Sequence, residues 1–557
     1  MPQETRICQN CKQNFTIEPE DFKFYEKIFV PPPTFCPRCR LQRRLAWFKG
    51  FRLYLRKCDL CKKEKISMYR PDAPYIIYCN ECWWSDKWNP EDYEREYDFS
   101  RPFFEQFNEQ MHKVPLMGLA ISKLATEQSP YTNHCDHSKN CYLIFYSDYC
   151  EEVQYGFYLT RDKSLVDCSV VWECERCYDS MNGFRNYQVH GSRGNVHNSI
   201  DCYFIKDSKG AQNCFGSANL RNNKYVFFNE QLTEAEYKKK LNEIDLGSYK
   251  TYQEMKAKAE EVWKNSLPFP CYNYMFTENC TGSYVFYSKN CKECYDSGYC
   301  EDSKYLMLIK TPQVKDSYDY TDWGEGAERI YEGITVGNGV SDVRFSQDIH
   351  ASHHVEYSKS CMGSSNLLGC IGLRSKDYFI FNKRYEKEEF FKMREKIIKH
   401  MGRDYGEFFP MELSPHDYND TFASMFSPLK KEQVLARGLT WIDNLASEYK
   451  TTKEAKDLPD HIRDAEDSVL NEAIRCETCP RGYRITKQEL EFLRRHNFPL
   501  PRRCPFCRIE EKVRRWVWQM TLGERSCDKC GKLFRTNYRK EDAPRIYCKE
   551  CYFKEIV

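Results

Sequence analysis

The sequence predicts a multidomain, mainly β protein in which cysteine-rich cassettes at both ends enclose a duplicated β-rich body with short helices. Two duplications predict it. Eight cysteines from Cys8 to Cys82 fall in Cys-x-x-Cys pairs at 8/11, 36/39, 58/61 and 79/82, and four pairs return at 476/479, 504/507, 527/530 and 548/551. The gaps between pairs are 24, 18 and 17 residues in the first set and 24, 19 and 17 in the second. In the interior, Asn219 to Asn229 recurs as Gly372 to Asn382, sharing Leu-Arg-x-x-x-Tyr-x-x-Phe-Asn, and Ser-Lys-Asn-Cys stands at both 138–141 and 288–291. The expected order is a double cassette at 1–85, an aromatic arm at 86–130, body halves at 131–267 and 268–412, a polar, helix-prone tether at 413–474, and a second double cassette at 475–557.

At 557 residues the chain can bury several cores, and its 15% aromatic content sets it apart from disordered chains. Thirty-one cysteines could mean a disulfide scaffold. The start carries no apolar signal segment and no run of about 18 apolar residues spans a bilayer, so the expected setting is a reducing cytoplasm with no membrane partner. Nothing in the sequence fixes the oligomeric state. Net charge is only +2, but residues 1–82 hold 16 basic against 9 acidic groups and residues 475–557 hold 21 against 11, which leaves −15 for the interior. Two basic ends around an acidic body suggest a polyanion held at the ends and a possible protein partner on the body.

In the first cassette each Cys-x-x-Cys turn can place two sulfurs on one zinc ion, and two turns close a four-sulfur site with no open position for water. The reading is four structural zinc ions per chain. Sequential sets are Cys8, Cys11, Cys36 and Cys39; Cys58, Cys61, Cys79 and Cys82; Cys476, Cys479, Cys504 and Cys507; and Cys527, Cys530, Cys548 and Cys551. An interleaved cross-brace within each cassette is the alternative. A helix is expected to begin inside the second knuckle, over Arg40 to Phe48. From Cys8 to Arg44 the chain resembles the probable zinc-binding treble-clef family, through Cys8, Cys11, Phe24, Tyr25, Pro33, Cys36, Cys39 and Arg40. That resemblance implies a treble-clef or zinc-ribbon fold and zinc, but no defined biochemical role.

Between residues 40 and 57 the cations Arg40, Arg43, Arg44, Lys49, Arg52, Arg56 and Lys57 occur without an acid, interleaved with Trp47 and other aromatics. Guanidinium groups can grip phosphate while aromatic faces stack on bases, so this run is the first candidate nucleic-acid contact. The bland alternative makes the aromatics a small core and the arginines its wet face. Trp83, Trp84 and Trp88 are expected to pack the cassette against the next domain.

The body halves show Ser-x-x-Cys steps, as at Ser147 to Cys150 and Ser288 to Cys291, between short β-prone runs. Many short strands with turns suit a parallel β-solenoid in which Cys, Tyr and Ser stack from coil to coil; an antiparallel fold is the rival. Thr233 and Glu236 form a capping box for a helix at about 233–245, matched by one at 386–400. The 15 interior cysteines read as small buried hydrophobes. Asp316, Asp319, Asp322, Glu325 and Glu328 are the best candidates for a solenoid hydrolase or lyase acting on carbohydrate, against a solvated loop. No phosphate-binding glycine loop or nucleophile elbow is present.

The second cassette is less purely basic. Its candidate contacts are Arg502, Arg503, Arg508, Arg514 and Arg515. Together the cassettes and repeat motifs resemble a group of uncharacterised cysteine-rich proteins of candidate-phylum bacteria, a resemblance that implies no activity. The leading expectation is a non-enzymatic, zinc-dependent binder of nucleic acid, with RNA or the ribosome favoured over DNA. The alternative is a protein-interaction scaffold whose zinc modules are purely structural.

Overall fold

The computed structural model describes residues 2–121, 126–268, 276–309, 311–443 and 450–556. Cys271 and the residues just past the expected 267/268 junction lie outside that set. The chain divides into two compact units, each built from separate stretches: Met1–Gly118 with Tyr272–Ile442, and Leu119–Cys271 with Asp443–Val557. The first cassette thus joins the second half of the body, and the second cassette joins the first half. Both units are strand-rich with short helices, and among the described residues no sheet closes into a barrel.

The body of the second unit pairs Asn133–Asp136, Tyr142–Asp148, Gln154–Thr160, Ser169–Trp172 and Met181–Phe184 in parallel. Its register advances twelve residues at a time, from Phe145 to Phe157 to Ser169 to Met181. The first unit repeats the pattern from Gly282–Phe286 to Asp377–Ile380, with slips such as Met307 opposite Thr321 and Tyr331 opposite Arg344. Antiparallel pairing appears in the bodies only at their closing hairpins, among the described residues.

A three-residue unit generates the twelve-residue step. From His134 to Gln188 every third residue has φ between 47° and 59°, and the residue after each of them is buried. Four left-handed corners therefore fold twelve residues into one turn of chain whose inward side chains fall at every third position. Left-handed backbone costs a non-glycine residue about 1–2 kcal/mol, yet Leu143 and even Val170 adopt it. Corner amides help to hold it by donating to the turn below: Leu143 N to Tyr131 O at 3.1 Å and Tyr149 N to Asp136 O at 3.0 Å.

The inward residues explain the Ser-x-x-Cys steps. The Ser147 hydroxyl donates to Phe145 O at 2.9 Å and accepts from Leu159 N, twelve residues on, at 3.1 Å. Ser358 repeats this between Glu356 O and Cys370 N. Cysteine thiols make the donating half, as Cys135 does to Asn133 O at 3.3 Å and Cys300 to Gly298 O at 3.1 Å. Burial pushes the Cys168 and Cys300 thiols well above their ordinary pKa, so both stay protonated donors among the aliphatic residues of the core.

Each Leu-Arg-x-x-x-Tyr-x-x-Phe-Asn element ends a body. Its final asparagine accepts a backbone amide of the preceding turn, Asn229 from Ala218 N and Asn382 from Ile371 N, both at 2.8 Å. A hairpin follows, then helix Glu234–Asn242 or Lys387–Met401. The Thr233 and Glu236 capping box is present. The stretch read as a tether is shared out: 413–442 belongs to the first unit and 450–474 to the second.

Candidate metal centres and their docking surfaces

Each cassette brings its cysteines into two groups of four, with all sulfurs of a group within 4.8 Å of one another: Cys8, Cys11, Cys36 and Cys39; Cys58, Cys61, Cys79 and Cys82; Cys476, Cys479, Cys504 and Cys507; Cys527, Cys530, Cys548 and Cys551. The grouping is sequential, not interleaved. Four sulfurs about 2.3 Å from a tetrahedral ion stand about 3.8 Å apart. The Cys11–Cys36, Cys61–Cys79, Cys479–Cys504 and Cys530–Cys548 sulfurs lie 3.7, 3.9, 3.7 and 3.8 Å apart. The groups could therefore each hold one metal ion.

Backbone geometry prepares these sulfurs. The first cysteine of each group accepts the amide of the third, at 3.3 Å from Cys36 to Cys8, 3.2 Å from Cys79 to Cys58, 3.1 Å from Cys504 to Cys476 and 3.2 Å from Cys548 to Cys527. That third cysteine also precedes a helix: Pro37–Leu45, Asn80–Trp83, Pro505–Gln519 or Lys549–Ile556. Amide donors and helix N-termini both favour thiolate.

The helix after the first site also carries the docking residues. In the first unit Arg40 donates from Nε to Asp319 Oδ2 at 2.9 Å, and one turn later Arg44 Nη1 reaches Asp319 Oδ1 at 3.1 Å and Glu332 Oε2 at 2.6 Å. All four side chains are at most 2% exposed. In the second unit the matching Arg508 pairs with Asp167 and, at 3.1 Å, with Glu489, while Lys512 lies 2.8 Å from Asp179. Asp319 and Glu332 sit on adjacent turns of one body, as Asp167 and Asp179 do on the other. Coil-to-coil carboxylates thus meet cations spaced i and i+4 on a helix. Even the neighbouring rings correspond, with Arg40 5.3 Å from the Tyr305 ring and Arg508 4.7 Å from that of Tyr155.

Electrostatics at the two docks differ. Burial works against an ionised Asp179, but Arg193, Lys256 and Lys512 hold its pKa well below the usual range. Burial lifts Glu332 to about 7, against the pull of Arg44.

The second site of each cassette docks the other way, the body supplying the cation. Arg374, from the recurring Leu-Arg element, lies 4.8, 5.7 and 5.5 Å from the rings of Trp83, Trp84 and Trp88. Its counterpart Arg221 lies beside Tyr552, which follows Cys551 as Trp83 follows Cys82.

These placements correct the expectation that the acid-free run offers its cations to phosphate. Arg40, Arg44, Trp47, Lys49, Arg56 and Arg508 are buried. Trp47 packs against Phe408 and Phe409, Lys49 pairs with Asp420, and Arg56 donates to the carbonyls of Arg70, Ala73 and Tyr75. Arg43 donates to Phe409 O, and Arg52 lies 3.8 Å from Asp420. Arg502 donates to the carbonyls of Ala455, Lys456 and Leu458, Arg503 pairs with Glu511, and Arg515 lies 3.4 Å from Glu260. Lys57 and Arg514 are exposed. The hydrolase candidate Asp319 is corrected likewise, since two guanidinium groups occupy it. Asp316 pairs with Lys27, Asp322 accepts from Thr335, Glu328 pairs with Arg329, and Glu325 is exposed. Sequence reasoning missed Lys512, Glu332, Asp167 and Asp179. The matched Cys-x-x-Cys-Arg of both cassettes was the available signal for the docking helix.

No helix among the described residues is long and apolar enough to cross a membrane. No family model matches the chain, and no curated protein matches it. Among solved structures, a crystal structure from Desulfovibrio desulfuricans labelled "putative acetyltransferase" aligns at 10% identity and a TM-score of 0.10 over 50% of this chain. The alignment spans 66% of that protein, just under two thirds of its length, and at that score it carries no assignment.

Proposed function

We propose that the protein is a non-enzymatic, zinc-stabilised scaffold, in which two parallel β-solenoid bodies are each clamped by a double cassette of treble-clef and zinc-ribbon type. One observation carries the reading: in both units the basic helix of a cassette holds carboxylates of the same chain's acidic body. The polyanion that the charge distribution called for is then internal, and the zinc ions are structural. All-thiolate coordination leaves no position for substrate water, and a reducing compartment such as the cytoplasm suits the metal-binding thiols and the neutral thiols of the core. The solenoid surfaces remain for partners. Metal analysis of purified protein tests this reading. About four zinc ions per chain, with loss of both docks on chelation, is the expected result; disulfides in place of metal would overturn it.

A further inference from the structure

The lysines of the second unit's body are of two kinds. Over the early turns Lys139 lies 3.4 Å from Glu127 and Lys163 lies 3.2 Å from Glu151, so lysine and glutamate alternate and cancel. Toward the closing hairpin that balance is lost. Residues 185–224 hold six Lys and Arg against two Asp. Of these acids Asp207 is buried and accepts the Tyr538 hydroxyl at 3.2 Å, and Asp201 is half-buried. His197, Lys209 and Arg221 stand in register on successive turns, as Gln212 and Lys224 do one column along.

Lys209, Arg221 and Lys224 are exposed, and among the described residues neither lysine forms an ion pair. Arg221 Nη1 donates to Asp207 O at 2.7 Å and to Leu220 O at 2.8 Å, which fixes the guanidinium without neutralising it. Burial pushes the His197 pKa down to about 4, and Lys209 and Arg221 add to that push, as cations without a counter-charge do. The fold does not need these charges. At the same places in the first unit stand Met362, in register with Arg374, and Asp377. Arg374 lies against three indoles, whereas Arg221 stays exposed beside Tyr552. Between the Lys209 and Lys224 columns runs a corner through Arg185, Asn198, Gly210 and Asn222. The exposed Arg185 guanidinium lies 4.7 Å from the Phe184 ring, and Glu173 balances its charge, so what it adds is a flat surface.

We propose that this end of the second body binds single-stranded nucleic acid, with Lys209, Arg221 and Lys224 meeting phosphate while a base stacks on the outer face of the Arg185 guanidinium. Neighbouring turns stand about 4.8 Å apart, so Lys209 and Arg221 reach one phosphate together. An acidic peptide satisfies the cations but lays nothing flat on the guanidinium, whereas a base does. The site goes beyond the scaffold reading and does not depend on it.

The test uses full-length, zinc-loaded protein and a fluorescein-labelled oligouridylate of about 20 nucleotides, followed by anisotropy across a salt series. Lys209→Gln and Lys224→Gln should each reduce the salt slope by about 0.7, and the double variant by about 1.4. Arg185→Ala should weaken binding about 5- to 150-fold, the range for losing one stacked base, with little change in slope. Lys139→Gln and Lys163→Gln, which change paired lysines of the same body, should leave binding as it is, and a labelled oligoglutamate should bind more weakly than the oligouridylate. Zinc content and thermal unfolding should not change in any variant, which separates failure here from failure of the scaffold reading. Absence of wild-type binding, an unchanged slope in the Lys209→Gln and Lys224→Gln double variant, an equal loss on Lys139→Gln, or oligoglutamate binding as tightly as the oligouridylate would overturn the proposal.

Discussion

Arg44 and Glu332 are 288 residues apart in the chain and 2.6 Å apart in the structure, with neither side chain more than 1% exposed. The carboxylate that receives the helix after the first metal site comes from the far half of the body. Removing one partner leaves a buried charge, which typically costs about 3–5 kcal/mol, whereas neutral replacement of both is far milder. Arg44→Ala should destabilise the first unit by about that amount in denaturant. Arg44→Met with Glu332→Gln should lose less than the sum of the single changes; simple additivity would mean that the contact carries no coupling.

Glu332 and Glu356, both buried in this unit, respond to pH in opposite directions. Burial opposes ionisation of Glu356, but Arg394 and Arg344 hold it near a pKa of about 2. A folded-state pKa below the unfolded one adds stability above about 4.5 that is lost as pH falls toward 2. Glu332, lifted to about 7, keeps a proton that the unfolded chain has released, so its contribution is full below about 4.5 and declines as pH rises through 7. Glu356→Gln should flatten the acid limb of the stability profile and Glu332→Gln the limb between 4.5 and 7. Identical limbs in a variant and the wild type would contradict the assignment for that residue.

Arg374 is enclosed by three indoles. Each cation–π contact is worth about 0.5–2 kcal/mol, so Arg374→Ala should red-shift tryptophan emission and raise hydrogen exchange over residues 79–88 while the metal count stays the same. Arg374→Lys should fall between the two, because an ammonium group covers less ring surface.

The inward serines make a sharper prediction than the inward cysteines. Ser147→Ala deprives the Leu159 amide of its acceptor and should cost about 1–3 kcal/mol. Cys168→Ala removes only a thiol, a weaker acceptor than a hydroxyl for the Ser180 amide twelve residues on, so its cost should be smaller than that of Ser147→Ala. Equal losses with equal changes in exchange at the turn above would show that the serine relay is not what holds the turns.

Legibility in the sequence followed how local each interaction is. The sixteen cysteines of the four candidate metal sites could be read from spacing because two members of every site lie within four residues. The Ser-x-x-Cys steps contained the three-residue unit, but slips such as Gly183 opposite Val196 hid its period, and left-handed backbone at Leu143 or Val170 runs against every propensity. The burial of Arg40 and Arg44 could not be read at all. A basic run looks the same whether its counter-charges lie on another molecule or on Asp319, 279 residues away. The crossed pairing of cassettes with bodies was hidden for the same reason.

That crossed pairing is tested by disabling the first metal site with Cys8→Ser and Cys11→Ser and following hydrogen exchange along the whole chain. Exchange should rise at residues 317–334, in the far half of the body, while 165–181 stays protected by the intact second cassette. A rise in the neighbouring half at 165–181, or no change at 317–334 despite loss of the metal, would contradict the structure described.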